Sequence, residues 1–245
     1  MKITIVVPCF NSMEYLEQCM ASVLAQDYGD IEIWACDNES TDGTYEYLIE
    51  LEQKHDKLKT FRLPNIYKNG YPEAMAHAFE NADEGYITFV ASDDFLACDY
   101  ISKCMKIISH NPEKIKCLQS GITGIKNGAR AHDQIHFYKN INDFKRQCMV
   151  RSPVNTPTVI YHTSILPYMT REALESHGLA DDGPGDFDMY CSLADSDIFI
   201  YPVNACLGYF YRWHDDQATW KVLRDPKISG YHKIIEEYWR KKWTL

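Results

Sequence analysis

The sequence lacks any long hydrophobic run. No segment of the 245 residues approaches the roughly 18 consecutive apolar residues that a membrane-spanning helix needs. The N-terminal stretch MKITIVVPCF is interrupted by Pro8 and followed by Asn11, and it is too short to be typical of a signal peptide. We therefore expect a protein of the cytoplasm, or one that works at the cytoplasmic face of a membrane.

An excess of positive charge is also missing. Lys and Arg number 25 against 35 Asp and Glu, which gives a net charge of −10. A protein that binds nucleic acid broadly would present a basic face, so no nucleic-acid partner is expected. The nine cysteines include no C-x-x-C pair and no zinc-like spacing. Free thiols in a reducing compartment are therefore favoured over a disulfide framework.

Strand-like and helix-like patterns alternate over about the first 110 residues. Asn11, with Glu14 three residues later, predicts the start of the first helix through a capping box. Ser40 or Asp42 caps the second predicted helix, and Pro72 fits the first turn of the third. The predicted strands are residues 3–8, 31–36, 60–63 and 85–91. This order predicts a parallel sheet with helices on both of its faces.

Polar residues cluster where three of these strands end. The clusters are Pro8 to Asn11, Asp37 to Asp42 and Ser92 to Asp94. Ligands of open α/β sheets bind beyond the carboxyl ends of the strands, at one edge of the sheet. One such cluster is explained by turns and helix caps alone, but three clusters at the same edge are better explained by a binding site.

Glycine is absent from PCFNSMEY, the segment that follows the first predicted strand. This absence excludes the G-x-G-x-x-G turn of a dinucleotide-binding dehydrogenase and the glycine-rich phosphate loop of a kinase. A diphosphate bound here must be neutralised in another way, and carboxylates that hold Mg²⁺ or Mn²⁺ do so. Asp93 and Asp94, in the stretch VASDDF, are suited to that task, because a bound cation reverses the local negative charge.

Three motifs in this order, IVVPCFNS, CDNESTDGT and SDDF, resemble the start of a family 2 glycosyltransferase. The segment from Asn69 to Phe89 resembles the connection found in one branch of that family, and GDFDMYCSL and YRWHDDQAT resemble later motifs more weakly. The resemblance implies the α/β GT-A fold, which is a Rossmann-like, mostly parallel sheet with helices on both faces and a smaller acceptor-side region. It further implies a metal-dependent hexosyltransferase of polysaccharide biosynthesis. Such an enzyme moves a sugar from a nucleotide-diphosphate donor, with UDP-sugars favoured, to a glycan or lipid-linked acceptor.

The resemblance implies nucleotide-binding roles for residues of the first half. Pro8 and Phe10 would lie along the base and ribose, and Asp37 would contact the base or ribose. Asn38 stands where the family often has an aspartate that accepts from the uracil N–H. An amide also brings a donor, so the choice of base stays open at this point. Gly70 is assigned to the nucleotide site as well.

The resemblance likewise implies how the diphosphate is held. Asp93 would contact the ribose or the metal, and Asp94 would coordinate the metal between the phosphates. Met75 occupies the place of an arginine that often faces the diphosphate, so this chain would depend more on its metal. His214 is a predicted metal ligand and Arg212 a predicted contact of the departing diphosphate, although an ordinary surface turn explains this stretch equally well.

The resemblance also implies an inverting reaction by single displacement, which needs a carboxylate to take the proton of the acceptor hydroxyl. In the family this base is an aspartate at the start of a helix, and Asp186 in GPGDFDMYCSL matches it. A purely structural alternative is that Asp186 caps the helix that follows. Asp188 is the alternative base, but helical geometry points it to another side.

The second half of the chain gives a weaker pattern. Residues 126–151 are polar and aperiodic, which predicts a loop or an irregular connection. PTVIYHTSIL predicts a further strand, and a helix is expected over residues 167–176. We expect a nucleotide-sugar-binding half over 1–125, an acceptor-binding and catalytic half of the same domain over 126–225, and a C-terminal helix over 226–245.

The predicted C-terminal helix carries Trp239 and Trp243 among Lys and Arg residues. Such a helix can rest on a membrane surface that holds a lipid-linked acceptor. Alternatively it docks on the domain or on a second subunit, which would make the protein a homo-oligomer. Docking is the favoured interpretation.

Two other functions stay open from the sequence. A sugar-1-phosphate nucleotidyltransferase binds a nucleotide and metal on a related sheet, but it would open with a glycine-rich loop followed by basic residues. PCFNSMEY has neither feature. A non-catalytic carbohydrate- or nucleotide-binding module could keep Asp93 and Asp94, yet it would have no need for a carboxylate at position 186.

Overall fold

The computed structural model describes residues 1–66, 71–179, 185–215, 217 and 225–243. Within these residues the strands are β1 (Ile3–Cys9), β2 (Ile31–Asp37), β3 (Leu58–Arg62), β4 (Tyr86–Phe89), β5 (Phe95–Leu96), β6 (Cys117–Lys126), β7 (Ala129–Gln134), β8 (Ile160–His162) and β9 (Ile200–Trp213). The helices are α1 (Met13–Leu24), α2 (Thr44–Glu52), α3 (Tyr71–Asn81), α4 (Tyr100–Ser109), α5 (Ile141–Cys148), α6 (Glu172–Glu175), α7 (Gly185–Asp195) and α8 (Pro226–Trp243). Two 3-10 turns, Thr156–Thr158 and Thr163–Tyr168, flank β8.

All these strands belong to one sheet, in the order β3-β2-β1-β4-β8-β6-β9-β5, with β7 paired to β6. The first four strands run parallel to one another, so their carboxyl ends meet at one edge. The second half adds antiparallel pairs of β8 with β4 and with β6, and β9 returns parallel to β6. The predicted α/β architecture, with its parallel N-terminal strands, is confirmed.

Helices cover both faces of the sheet. Every residue of β1 is buried, and because alternate side chains of a strand point to opposite sides, both sides of β1 must be covered. Ile5 and Val7 pack in a core with α1, α2 and α4. Val6 packs in a second core with α3 and with α5 to α8. The predicted covering of both faces is therefore confirmed.

The prediction of a loop over residues 126–151 was wrong, because this segment contains β7 and α5. Every residue of β7 is exposed, so its sequence ARAHDQ lacks the alternation that reveals a half-buried strand. Helix α5 begins after Asn140, whose side-chain oxygen accepts a 3.0 Å hydrogen bond from the amide of Asp143. The helix expected over 167–176 is only the four-residue α6, preceded by the second 3-10 turn.

The C-terminal helix α8 docks on the domain, against α5, α6 and α7. Tyr231, Ile235 and Trp239 are buried there. The indole N–H of Trp243 donates to Asp195 over 2.9 Å. Both tryptophans thus face the protein, which agrees with docking and leaves neither of them for a membrane surface. In the part of the chain that is described, no helix is both long enough and apolar enough to cross a bilayer.

Candidate active site

The three polar clusters predicted at the strand ends lie together and are joined by hydrogen bonds. Asn11 does not cap α1 as expected: its φ is +49°, and its side-chain oxygen accepts from the amide of Thr41 over 2.9 Å. The amide of Asn11 donates in turn to the Ser40 hydroxyl, also over 2.9 Å. The hydroxyls of Ser12 and Ser92 are 2.8 Å apart, which joins the first cluster to the third. The loops after β1, β2 and β4 therefore form one connected edge.

Two buried oxygens at the end of β2 have no hydrogen-bond partner among the described residues. They are Oδ1 of Asp37 and Oδ1 of Asn38, whose side chains are fully buried. The other oxygen of Asp37 lies 3.9 Å from Nε of Arg62. Nδ2 of Asn38 donates to the carbonyl of Pro64 over 3.2 Å. A buried acceptor without a partner is costly, so this pair is a candidate for contact with a ligand.

Three other residues predicted to bind the nucleotide surround this edge or lie outside the described part. Pro8 is buried in β1, opposite Cys36 of β2. Phe10 is half-buried in the following loop, where its amide donates to the Ser12 hydroxyl over 3.1 Å. Gly70 falls outside the described residues.

Asp94 is turned into the protein and braces β9 against the loop after β4. It is fully buried, and its two oxygens accept from the Tyr209 hydroxyl over 2.9 Å and from the amide of Arg212 over 2.8 Å. Burial raises the pKa of Asp94 well above its usual range, and the neighbouring Asp93 carboxylate adds to the rise. Each oxygen of Asp94 thus already accepts one hydrogen bond within the protein, and its role as a metal ligand stays a prediction.

Asp93 points the other way and meets His214. Its carboxylate lies 2.9 Å from Nε2 of His214, and the two side chains keep 27% and 18% of their surface exposed. Arg212 closes one side of this pair, because its Nε donates to the Asp93 carbonyl over 2.7 Å. The guanidinium lies over the rings of Tyr15 and Phe95, at 4.8 and 5.3 Å. The structure thus brings three of the predicted phosphate- and metal-binding residues together.

Asp93 and His214, which contact each other directly, are the candidate ligands of a divalent cation. Two ligands of an octahedral Mg²⁺ or Mn²⁺ at about 2.1 Å lie about 3 Å apart when they are neighbours, which matches the 2.9 Å between Oδ2 and Nε2. Within the described ranges no cluster of three or more His, Cys, Asp or Glu side chains has metal-binding geometry. Two protein ligands suffice where substrate phosphates complete the shell, as they usually do for Mg²⁺.

Asp186 lies in the first turn of α7 at the wall of a cavity of about 420 Å³. One carboxylate oxygen accepts from the Thr156 hydroxyl over 2.6 Å, and the other accepts from the amide of Phe187 over 2.9 Å. The side chain is half-buried, so it is held in place and still reaches the cavity. The other polar and aromatic residues of the cavity wall include His132, Gln134, Asn155, Thr156, Tyr211 and Trp213.

Asp188, the alternative base, belongs to the interior. It is fully buried and accepts three hydrogen bonds, from the amides of Ala173 and Leu174 and from the indole of Trp239. Burial raises the pKa of Asp188, while those three donors act against the rise. Its place in the fold is to hold α6 and α8 against α7.

Sequence reasoning missed Tyr209 and Thr156, which hold Asp94 and Asp186. The run CLGYFYRW is rich in aromatic residues, which is typical of a strand, and could have revealed β9. Nothing in the sequence pairs Thr156 with a residue 30 positions away.

Comparison with known proteins gives a consistent result. Residues 4–173 match the model of the family described as Glycosyl transferase family 2. GalNAc(5)-diNAcBac-PP-undecaprenol beta-1,3-glucosyltransferase from Campylobacter jejuni is 31% identical over 105 residues, which are 43% of this chain and 34% of that protein. The chain likewise spans only 15% to 43% of the length of five other curated relatives.

Solved structures share the fold at low identity. TarS from S. aureus, in complex with UDP-GlcNAc, aligns with a TM-score of 0.66 at 19% identity, over 99% of this chain and 73% of that one. The mannosyltransferase PcManGT from Pyrobaculum calidifontis, in complex with GDP-Man and Mn²⁺, aligns with a TM-score of 0.59 at 16% identity, over 99% and 70%. This likeness confirms the predicted GT-A fold.

Proposed function

The chain belongs to glycosyl transferase family 2, and on this basis we propose that it transfers a sugar from a UDP-sugar to a hydroxyl group of a glycan or glycolipid. One observation carries the proposal. Trp213 and His214 are consecutive in the chain, and the first lines the cavity of Asp186 while the second contacts Asp93. A donor that extends from Asp93 and His214 past Trp213 would bring its sugar to the cavity wall that carries Asp186, the catalytic base that we propose.

In the proposed reaction Asp186 takes the proton of the acceptor hydroxyl while that oxygen attacks the anomeric carbon. The bond to UDP breaks on the opposite face, so the configuration inverts. The Thr156 hydroxyl orients the Asp186 carboxylate by its hydrogen bond. Arg212 lies beside Asp93, where its charge would stabilise the leaving diphosphate.

Mn²⁺ or Mg²⁺ would be held by Asp93 and His214 and would supply charge neutralisation to the diphosphate. We assign the ligand role to Asp93 rather than to Asp94, whose oxygens are already engaged. The Mn²⁺ complex of PcManGT supports a divalent metal in this fold. Asp94 would instead fix the end of β9, which carries Arg212 and is followed directly by His214.

The uracil base is favoured by the orientation of Asn38. Its Nδ2 donates to the Pro64 carbonyl, and the opposite orientation would set two acceptor oxygens 3.2 Å apart. The atom left for a ligand is therefore Oδ1, which accepts hydrogen bonds. Asn38 would thus accept from a ligand just as the aspartate that the family often has at this position would. Uracil presents a ring N–H to such an acceptor, whereas cytosine presents an unprotonated ring nitrogen.

Calorimetric titration should show this choice of base. We expect UDP to bind at least about tenfold more tightly than CDP, because one buried hydrogen bond would be replaced by two facing acceptors. GDP and dTDP, which also carry a ring N–H, complete the series. Asn38→Leu should lose most of the preference, whereas the exposed Asn81→Leu should keep it. Equal binding of UDP and CDP would contradict the role of Asn38, and binding of no nucleotide would contradict the donor site itself.

The same titrations with and without Mn²⁺ test the metal. Wild-type protein should bind UDP on the order of 10- to 100-fold more tightly with Mn²⁺, and Asp93→Ala should abolish that difference. Asp215→Ala, an exposed carboxylate next to His214, is the matched control and should keep it. If the wild type bound UDP with the same affinity with and without Mn²⁺, the metal assignment would be wrong, but the proposed transfer reaction would not be contradicted.

A further inference from the structure

Three of the six large apolar side chains that are exposed in the described residues lie on two neighbouring segments, the stretches that follow β7 and α5. They are Ile135, Phe137 and Val150, with 38%, 69% and 71% of their surface exposed. Gln147 holds two of them together, since its Nε2 donates to the Phe137 carbonyl over 2.5 Å and its carbonyl accepts from the Val150 amide over 2.9 Å. We call these three residues a patch, because Gln147 joins the segments that carry Phe137 and Val150, and Ile135 is two residues before Phe137.

Four basic residues lie on or next to the same segments, on a chain whose net charge is −10. Arg151 also donates its amide to the Gln147 carbonyl, over 3.0 Å. Arg240 of α8 reaches across to the Met149 carbonyl over 2.6 Å. Arg146 and Lys139 are exposed at the two ends of α5, and Asp143, the one acidic residue of the helix, pairs with Arg146 over 3.3 Å. We call this surface the α5 face; its members are Ile135, Phe137, Lys139, Arg146, Val150, Arg151 and Arg240.

The α5 face adjoins the cavity of Asp186. His136 stands between two of its apolar residues, and Nε2 of His136 is 3.0 Å from Oδ1 of Asn155. Asn155 and its neighbour Thr156 both line the cavity, and Thr156 donates to Asp186. The α5 face is thus connected to the proposed catalytic base through His136, Asn155 and Thr156.

We propose that the α5 face docks on an anionic membrane surface and so brings the cavity to an acceptor that is anchored in the bilayer. Phe137 and Val150 would enter the boundary between headgroups and acyl chains, and the cations would contact anionic headgroups, as amphipathic peripheral surfaces do. The segregation of basic residues around exposed apolar ones favours this partner over an acidic protein, which would leave the apolar tips unused. The acceptor part of the inference rests on the proposed function; the docking does not.

Cosedimentation with vesicles tests the docking directly. The full chain should bind vesicles of phosphatidylcholine mixed with phosphatidylglycerol and should not bind vesicles of phosphatidylcholine alone. The double variants Phe137→Ser/Val150→Ser and Arg146→Glu/Arg151→Glu should each reduce the partition coefficient by about tenfold or more. Matched controls lie elsewhere: Ile66→Ser, with 66% of its surface exposed, and Lys54→Glu/Lys106→Glu should leave it unchanged.

Absence of binding to anionic vesicles, or equal losses in the face variants and the controls, would overturn the inference. So would a dimer in light scattering that the face variants convert to a monomer, because the patch would then be a contact between two copies of the chain. UDP titration of the same variants separates the two proposals. Unchanged UDP affinity with lost vesicle binding supports the α5 face, whereas vesicle binding without any UDP binding contradicts the proposed function alone.

Discussion

Replacing Asp186 with asparagine should lower the rate of sugar transfer by roughly 10³-fold while leaving UDP binding unchanged. The amide keeps the size of the carboxylate, and its oxygen can still accept from the Thr156 hydroxyl. It cannot take a proton from an attacking hydroxyl at neutral pH. Release of UDP from a panel of UDP-sugars, with water as the acceptor where no glycan is supplied, measures the rate. Calorimetry and urea denaturation of the same preparation report binding and stability.

Thr156→Val provides a graded companion to this variant. It removes only the hydrogen bond that orients Asp186, so we expect a smaller fall in kcat, on the order of tenfold, with an unchanged KM for the donor. Transfer by Asp186→Asn within tenfold of the wild type would mean that the base lies elsewhere. UDP binding without turnover of any UDP-sugar by the wild type would instead favour the non-catalytic binding module.

Asp188→Asn, two residues further along the same helix, should lower the stability of the protein, which Asp186→Asn is not expected to do. The carboxylate accepts from the Ala173 and Leu174 amides and from the Trp239 indole. An asparagine would point its own N–H₂ at one of these donors, inside the core. We expect the free energy of unfolding to fall by on the order of 3 kcal/mol, measured by urea denaturation.

Asp195→Asn is the matched control for this loss. Asp195 lies at the end of α7 and also accepts from an indole, that of Trp243, but it is partly exposed and pairs with Lys242. Its replacement should cost no more than about 1 kcal/mol. A stability of Asp188→Asn within that same margin would show that the three hydrogen bonds do not secure α8.

The sequence predicts the first half of the fold well because buried parallel strands leave a plain signal. The β-branched run of β1 and the polar residues after it identify the strand and its functional end together. The exposed strand β7 carries no apolar alternation, and the helix cap expected at Asn11 failed because that side chain is used to join two loops. Local patterns cannot register such contacts between distant segments.

The candidate site shows the same limit at the level of single atoms. Asp93 and Asp94 are chemically identical neighbours, and only the position of β9 decides which one is enclosed by Tyr209 and which one meets His214. The sequence does not show whether Asn38 would donate to a ligand or accept from it. In the structure its Nδ2 donates to the carbonyl of Pro64, which leaves the acceptor Oδ1. The resemblance to relatives points to these loops, and the assignment of roles to individual oxygens depends on the three-dimensional packing.

The alternation of side chains along β9 has a consequence for engineering this protein. Tyr211 and Trp213 face the cavity, whereas Arg212 and His214 face Asp93. Libraries confined to positions 211 and 213 would therefore change the wall of the cavity that we propose for the acceptor and leave the contacts of Asp93 intact. A deletion or insertion of a single residue in this stretch would exchange the two faces and disable both at once. The length of this strand segment is the quantity that a designer must preserve, and positions 211 and 213 are the ones to vary, whereas Tyr209 must stay because it holds Asp94.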